Sequence, residues 1–453
     1  MFPDIVATEP ETLAHHFTEA GLTEPALSYW LKAGQYATAR PAYREAVNHI
    51  ERGLTLLSTL PESADRDRRE LDFLNALRAP LIAVTGFATN PAYEARSERA
   101  IILAEKLGDV ERLFDSLSAR QSYCNATGRL RKARENAERM RTLALSQGNR
   151  AMLLRAHHAM GQSLLVGGDL AAAQKEYETV LALFDPKRDR SITGAVDLFA
   201  IGSSYLTWIL WISGYPERAA KMQAQAFSYA AKLNRPLTTG WALCYAGAML
   251  DQFSGNVAAV LAHTKTHATL MAEHGMNTYQ GIMGFYEGWT MASSDEVEKG
   301  IAFMQRGLAL LEAKNVVAHR PHLLSIFAQV QVRQGDFQSA LALCTDAQER
   351  VRQTGQHYFD AEIYRIEGEA RRAAGHSLTD VEHSFGRALE GSRQKGARMF
   401  ELRAVMALAR LWSDHERKVE ARDLLAPVYG WFTEGFDTVD LKAAKALLVE
   451  LSE

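Results

Sequence analysis

Cysteine is scarce in this chain: three residues in 453, Cys124, Cys244 and Cys344, each set inside an apolar stretch and far from the others. No CxxC pair occurs, so neither a disulfide framework nor a cysteine zinc cluster is implied, and the three read as small core residues. Net charge is equally slight. The 51 Lys and Arg against 54 Asp and Glu leave −3, which argues against a nucleic-acid surface built on bulk charge. No helix-turn-helix with a basic recognition helix is readable either. Long apolar runs are missing: the longest weakly polar run, Ala79 to Ala88, is too short to span a bilayer. The N-terminus shows no basic region followed by an apolar stretch, so no signal peptide is visible. These absences point to a cytoplasmic chain that binds neither membrane nor nucleic acid. Sustained alternation of Val, Ile and Thr is also lacking, which excludes a strand-built fold.

What the sequence does have is a spacing. Gly128, Gly168, Gly214, Gly255, Asp295, Gly335 and Gly375 recur mostly about 40 residues apart, and Gly108, Gly148, Gly275, Asn315, Gly355 and Gly396 fall half a period away. Amphipathic stretches of roughly 18 residues lie between these turns. A period in this range with two helices per unit predicts an all-α, right-handed α-solenoid of about ten helix pairs. The segment Ala151–Phe184 shows one unit: Gly161 lets a neighbouring helix approach, Gly168-Asp169 turns the chain, and Ala173, Tyr177 and Val180 recur along the second helix. These offsets match the tetratricopeptide pattern of small-residue contacts and an aromatic knob. The usual tetratricopeptide period is about 34 residues, so each helix here carries nearly one extra turn.

The reading divides the chain into less regular repeats over 1–107, regular repeats over 108–415 and capping helices over 416–453, all in one continuous solenoid. Two charged stretches, Asp185–Thr193 and Pro61–Arg69, read as surface loops. The abrupt helical start at Glu11 suggests that the solenoid once was, or still is, preceded by another domain.

Catalytic constellations are weak. His263 and His267 stand four apart, with Glu273 and His274 beyond, but no HExxH and no third ligand accompany them. His15-His16 and His157-His158 are neighbours that diverge by about 100° on a helix. His16 and His157 are expected to be partly buried, and His319 and His322 to cap a helix or face solvent. Glu367 and Glu369, two apart, point away from one another. No GxSxG elbow occurs, and Arg129–Arg141 reads as a solvated face because Glu135 and Glu138 interleave its cations. No cofactor, metal site or catalytic residue is assigned.

The first helix of each pair should line the concave face of such a solenoid. Register places Arg155, His158 and Gln162 there in one unit, Trp208 and Trp211 in the next, and then Tyr245, Met249 and Gln252. Phe285 and Trp289 follow, then His322, Ser325, Gln329 and Arg333, and finally Glu362, Arg365, Glu369 and Arg372. The stripe changes from aromatic to charged. Aromatic and Arg side chains are common anchors of bound peptides or ligands, so these positions are the expected binding face. Replacing Trp289 or Arg365 by Ala is expected to weaken binding without unfolding the chain.

The opening PETLAHHFTEAGLTEPALSYWLKAG (Pro10–Gly34) and the ending Glu401–Leu448, above all Tyr429-Gly-Trp-Phe-Thr-Glu-Gly-Phe-Asp437, resemble a bacterial family. It is the C-terminal tetratricopeptide region of signalling proteins in which a class III adenylate/guanylate cyclase domain precedes an AAA/NACHT-like ATPase. Maltose-activator-type regulators carry similar solenoids. The resemblance covers essentially the whole chain and implies a non-catalytic sensor or scaffold that couples a protein partner or effector to a cyclase/ATPase module. The alternative it implies is a truncated regulatory part of such a cyclase. The catalytic modules themselves are not in this sequence. It has no Gly-Lys followed by Ser or Thr for a P-loop, and no sheet that could carry the cyclase's paired aspartates. The sequence does not fix the oligomeric state.

Overall fold

A computed structural model describes residues 9–40, 42–85, 91–189 and 196–453. Among these the chain is all-α, without a strand. Helices are joined by tight turns, and the glycine spacing sets them. All eleven glycines of the two series adopt positive φ, as does Asn315. A left-handed residue ends a helix cheaply only where no Cβ opposes it or the side chain is Asn. Asp295 is the exception: its turn closes without a left-handed residue.

The chain divides into two compact units. One comprises 1–127, 135–148 and 314–316; the other comprises 128–134, 149–313 and 317–453. The first unit contains α1 (Pro10–Glu19), α2 (Thr23–Ala39), α3 (Tyr43–Ser58), α4 (Ala64–Thr85), α5 (Pro91–Leu107), α6 (Val110–Ala126) and most of α7 (Leu130–Ser146). Leu71, Leu74, Ala100, Leu103 and Ala104 form one of its cores. The loop expected over Pro61–Arg69 is shorter than the charge pattern suggests. The helix begins at Ala64, and the Ser63 hydroxyl accepts a hydrogen bond from the Arg66 amide at 3.1 Å. His16, expected to be partly buried, is exposed on α1.

The second unit holds the longer array. It runs through α8 (Arg150–Gly167), α9 (Leu170–Leu183), α10 (Leu198–Ile212) and α11 (Pro216–Leu233). Next come α12 (Pro236–Trp241), a π-helical stretch (Ala242–Ala248), α13 (Met249–Phe253), α14 (Val257–Glu273), α15 (Gln280–Ala292) and α16 (Val297–Ala313). It closes with α17 (Arg320–Arg333), α18 (Phe337–Thr354), α19 (Asp360–Ala373), α20 (Leu378–Lys395), α21 (Arg398–Ser413), α22 (Lys418–Gly430) and α23 (Val439–Glu450). Antiparallel helix pairs stacked side by side are the arrangement of an α-solenoid. Asp and Asn caps such as Asn149, Asp169, Asp197, Asn256 and Asp336 accept from the first free amides of the following helices. The Asp185–Thr193 stretch, expected to be a surface loop, is anchored where it is described. Asp189 is buried and takes Arg150 Nη1 at 2.6 Å; residues 190–193 lie outside the described residues.

Two features of this unit depart from a regular array. First, α15 and α16 touch backbone to backbone. A Cβ at Gly288 would lie 2.6 Å from the Gly300 carbonyl oxygen, and one at Gly307 would lie 2.6 Å from that of Gly281. Second, early helices meet much later ones. The His357 amide donates to the Val166 carbonyl at 2.9 Å. Glu434 accepts from the amides of Glu217 and Arg218, both at 3.0 Å, and so caps α11 from a distant part of the sequence. Trp431 packs on Tyr215 beside that cap. The Tyr429–Asp437 stretch is thus a clasp that ties the end of the unit to its middle.

Candidate functional site

The inner helices were expected to present an open face, but in the middle of the second unit that face is filled. Trp208 is fully buried, and its ring meets His319, Tyr358, Tyr245 and Phe253. Its indole Nε1–H donates to the Tyr245 carbonyl at 2.6 Å. That carbonyl belongs to the π-helical stretch, whose neighbouring Ala246 carbonyl accepts from Gln223 at 2.9 Å. The wider π turn breaks the regular i→i−4 ladder, and side chains supply donors to its carbonyls.

Most aromatic positions picked from register therefore lie in a core. Trp211 packs on Phe253 and Phe400, Phe285 is fully buried against Tyr286, and Met249 is buried. His319 and His322 do not face solvent. His319 Nδ1 lies 2.9 Å from the Tyr358 hydroxyl, and His322 lies 3.4 Å from the Gln252 side-chain oxygen and packs on Phe359. Ser325 turns back onto the His322 carbonyl. Burial pushes His319 down to about 4 and His322 well below the usual histidine value. Both rings are neutral at pH 7.

The first expected group sits farther up the array. His158 packs against Tyr177, and burial, with Arg155 nearby, lowers it to about 4. Gln162 donates to the Tyr205 hydroxyl at 3.0 Å. The adjacent His157 is partly buried as expected, 2.6 Å from Glu176. His263 lies 3.0 Å from Asp251, while His267 is buried one turn later with its pKa lowered to about 4 by burial. Among the described residues no group of three His, Cys, Asp or Glu side chains is placed to hold a metal.

The charged end of the stripe behaves differently. Gln252, Trp289, Gln329, Arg333, Glu362, Arg365 and Glu369 all line one cleft of about 210 Å³, where Arg403, Arg410 and Asp440 join them. Arg372 instead pairs with Asp414 outside it. The cleft runs across the inner faces of α15, α17, α19 and α21. Residues at i, i+3 and i+7 share a helix face, so Glu362, Arg365 and Glu369 come together on α19, and Arg403, Met406 and Arg410 on α21. The second triplet repeats the spacing of the first, one helix pair later. That repeat was the signal by which Arg403 and Arg410 could have been found.

The floor of the cleft is an ion-paired network. Arg365 donates to Glu362 at 2.7 and 3.0 Å and also binds Glu369. Arg403 reaches Glu362 at 3.1 Å, Asp440 at 3.0 and 2.9 Å, and the Phe253 carbonyl at 2.6 Å. Burial alone would raise Glu362, but Arg365 and Arg403 outweigh it and hold the carboxyl below its usual range. Arg365 is almost fully enclosed, and so is Trp289, so neither is a surface contact that can be truncated without consequence for the fold. The walls are less committed. Neither Arg333 nor Arg410 is hydrogen-bonded or ion-paired through its guanidinium among the described residues. Trp289 Nε1–H, buried beside them, also lacks an acceptor.

Among the described residues no helix is long and apolar enough to cross a membrane. No family model matches the chain. An uncharacterized protein of Rhizobium meliloti is 24% identical over 399 residues, covering 86% of this chain and 38% of that protein. The chain thus spans well under half the length of that relative. Among solved structures, one similar chain comes from the APC/C hetero-tetramer Cut9-Hcn1, at TM-score 0.39 and 12% identity, covering 99% of this chain and 98% of that one. Yeast Tom70 is similar at TM-score 0.38 and 13% identity, with coverage of 94% and 96%.

Proposed function

We propose that this chain is a non-catalytic, tetratricopeptide-like module that holds a protein partner or effector on the inner side of its second unit. The observation that carries this reading is the cleft across α15, α17, α19 and α21. It is a polar recess beside the aromatic packing around Trp208, lined by Arg, Gln and Trp donors. Such side chains fix and orient a bound group. The histidines that would be candidate bases are instead buried, with pKa values lowered by that burial. A bound partner would act by shifting the packing of four neighbouring helices at once. The partner is sought by capturing proteins with the intact chain, once as wild type and once as Arg333→Gln/Arg410→Gln. A partner lost with the double variant supports the cleft as the binding face, and capture unchanged by it refutes that assignment.

A second reading follows the resemblance of Pro10–Gly34 and Glu401–Leu448, and the length of the relative, more than twice that of the matched segment, supports only its premise that such a module can sit in a longer chain. Here the module is the regulatory part of a larger cyclase/ATPase signalling protein, acting on it in cis or as a separate chain in the cytoplasm. Reading the DNA upstream of Met1 separates the two: an in-frame cyclase or ATPase sequence supports the larger protein, and a promoter at that place supports a free-standing module.

A further inference from the structure

We infer that the cleft of the second unit is a site for a compact oxyanion, a phosphate- or carboxylate-bearing small molecule, seated between Arg333 and Arg410. This rests on the cleft being the binding face. It goes further by naming the chemistry of the ligand.

Charge is distributed unevenly inside the cleft. Four guanidiniums line it against the carboxylates of Glu362, Glu369 and Asp440. Arg365 and Arg403 already bind all three of those carboxylates. Glu369 also acts on Arg333 at longer range, opposed by Arg365, but forms no ion pair with it. The positive charge not absorbed by the floor therefore sits on the two walls, Arg333 from α17 and Arg410 from α21.

Hydrogen-bonding capacity points the same way. Arg333 and Arg410 offer only donors, and the buried Trp289 indole N–H is a third donor without an acceptor. A buried donor left unpaired is costly, and the Trp289 N–H is that donor here. Arg333 and Arg410 are exposed at the mouth of the cleft and hold their guanidiniums free of protein acceptors among the described residues, so the site suits acceptor oxygens that replace water. Guanidiniums bind carboxylate and phosphate with bidentate, charge-assisted geometry, and do so most strongly where water is partly excluded. Size narrows the ligand. At about 210 Å³ the cleft is smaller than the roughly 300–1,000 Å³ that holds a drug-sized molecule, which suits an anion with few heavy atoms. The ion-paired floor fixes the site in place, because Arg365 and Arg403 are held by several bonds each and cannot swing out to neutralise a carboxylate elsewhere.

The test is calorimetric titration of the full chain with pyrophosphate and, separately, with succinate, each at low and high salt. Saturable binding of one or both is expected, weakening with salt, and the stronger of the two assigns the ligand to the phosphate or the carboxylate class. Arg333→Gln/Arg410→Gln should weaken that binding by about tenfold or more. Trp289→Phe, which keeps a ring but removes the N–H, should weaken it several-fold when titrated well below its own, lowered unfolding midpoint, with a single cooperative unfolding transition kept. Arg306→Gln, on α16 away from the cleft, should leave it unchanged. Absence of saturable binding for both probes, or binding that the double Arg variant does not weaken, overturns the inference. If a captured protein partner is nonetheless lost with the same double variant, the cleft still stands as a partner-binding face and only the small-anion assignment falls.

Discussion

The inner side of the second unit contains two regions built on the same plan and filled with opposite chemistry. Around Trp208, the helices meet through rings: Tyr245, His319, Tyr358 and Phe253 close the space, and the polar atoms in it are few. Around Glu362, the equivalent faces of later helices meet through Arg365, Arg403 and Asp440. Aromatic packing stabilises mainly by the area it removes from water, with a further contribution from ring geometry. A buried ion pair adds little net stability but is severe to break, because removing one partner strands the other charge. The first region therefore closes the array, and the second holds an open recess in a fixed shape.

The largest expected difference between the two regions comes from stranding a charge. Arg403→Ala leaves Glu362 and Asp440 short of a partner and should cost about 3–5 kcal/mol in urea unfolding. A loss below about 1 kcal/mol would mean that the network is not a structural element.

The regions should also part along the pH axis. In the aromatic region burial lowers His319 to about 4 and holds His322 well below the usual histidine value, against about 6.5 unfolded. The unfolded chain then binds more protons than the folded one below pH 6.5, so stability falls as pH drops from about 6.5 toward 4. The slope approaches a limit of about 1.4 kcal/mol per pH unit for each such histidine. His158 and His267 act in the same window. Glu362 has the opposite origin. Its folded value lies below the free carboxylate's, so its contribution is present above about pH 4.5 and is lost only as pH falls further. Denaturant midpoints between pH 7 and 5 should fall together with the histidines, and His319→Gln/His322→Gln should flatten that fall. A flat wild-type profile would show that these rings are hydrated when folded.

Trp208→Phe removes the donor to the Tyr245 carbonyl and part of the ring that fills the centre. A loss of about 2–3 kcal/mol is expected, intermediate between a lost hydrogen bond and a full aromatic truncation. Arg333→Gln marks the lower end of the scale. Its guanidinium bonds nothing among the described residues, so the midpoint should move by no more than about 0.5 kcal/mol. A larger change would reveal a structural role for this wall of the cleft.

Much of the architecture was legible because one residue type controls it. The glycine series announces the turns, and Gly128, Gly168 and Gly335 sit in the left-handed conformation that only a missing Cβ makes easy. The inner face of α19 was legible for a similar reason: Glu362, Arg365 and Glu369 keep helical spacing, and the structure brings them together. The closure of the aromatic middle was not legible. Register says that Trp208 and His322 face inward, but what lies opposite depends on how tightly the array bends. That is set by contacts such as Glu434 on Glu217 and Arg218, whose partners are remote from one another in sequence. The π-helical stretch was hidden too, since Ala242–Ala248 opens and closes on alanine and shows no proline or charge that would mark a break in an ordinary helix.

The crossing of α15 and α16 has a mechanical consequence. Gly288 rests on the Gly300 carbonyl, and Gly307 rests on that of Gly281, so no layer of side chains separates these two helices. Side chains can change rotamer and absorb a small displacement; main chain against main chain cannot. A push delivered to Trp289, next in sequence to Gly288, would therefore carry both helices as one lever, transmitting a local event instead of damping it.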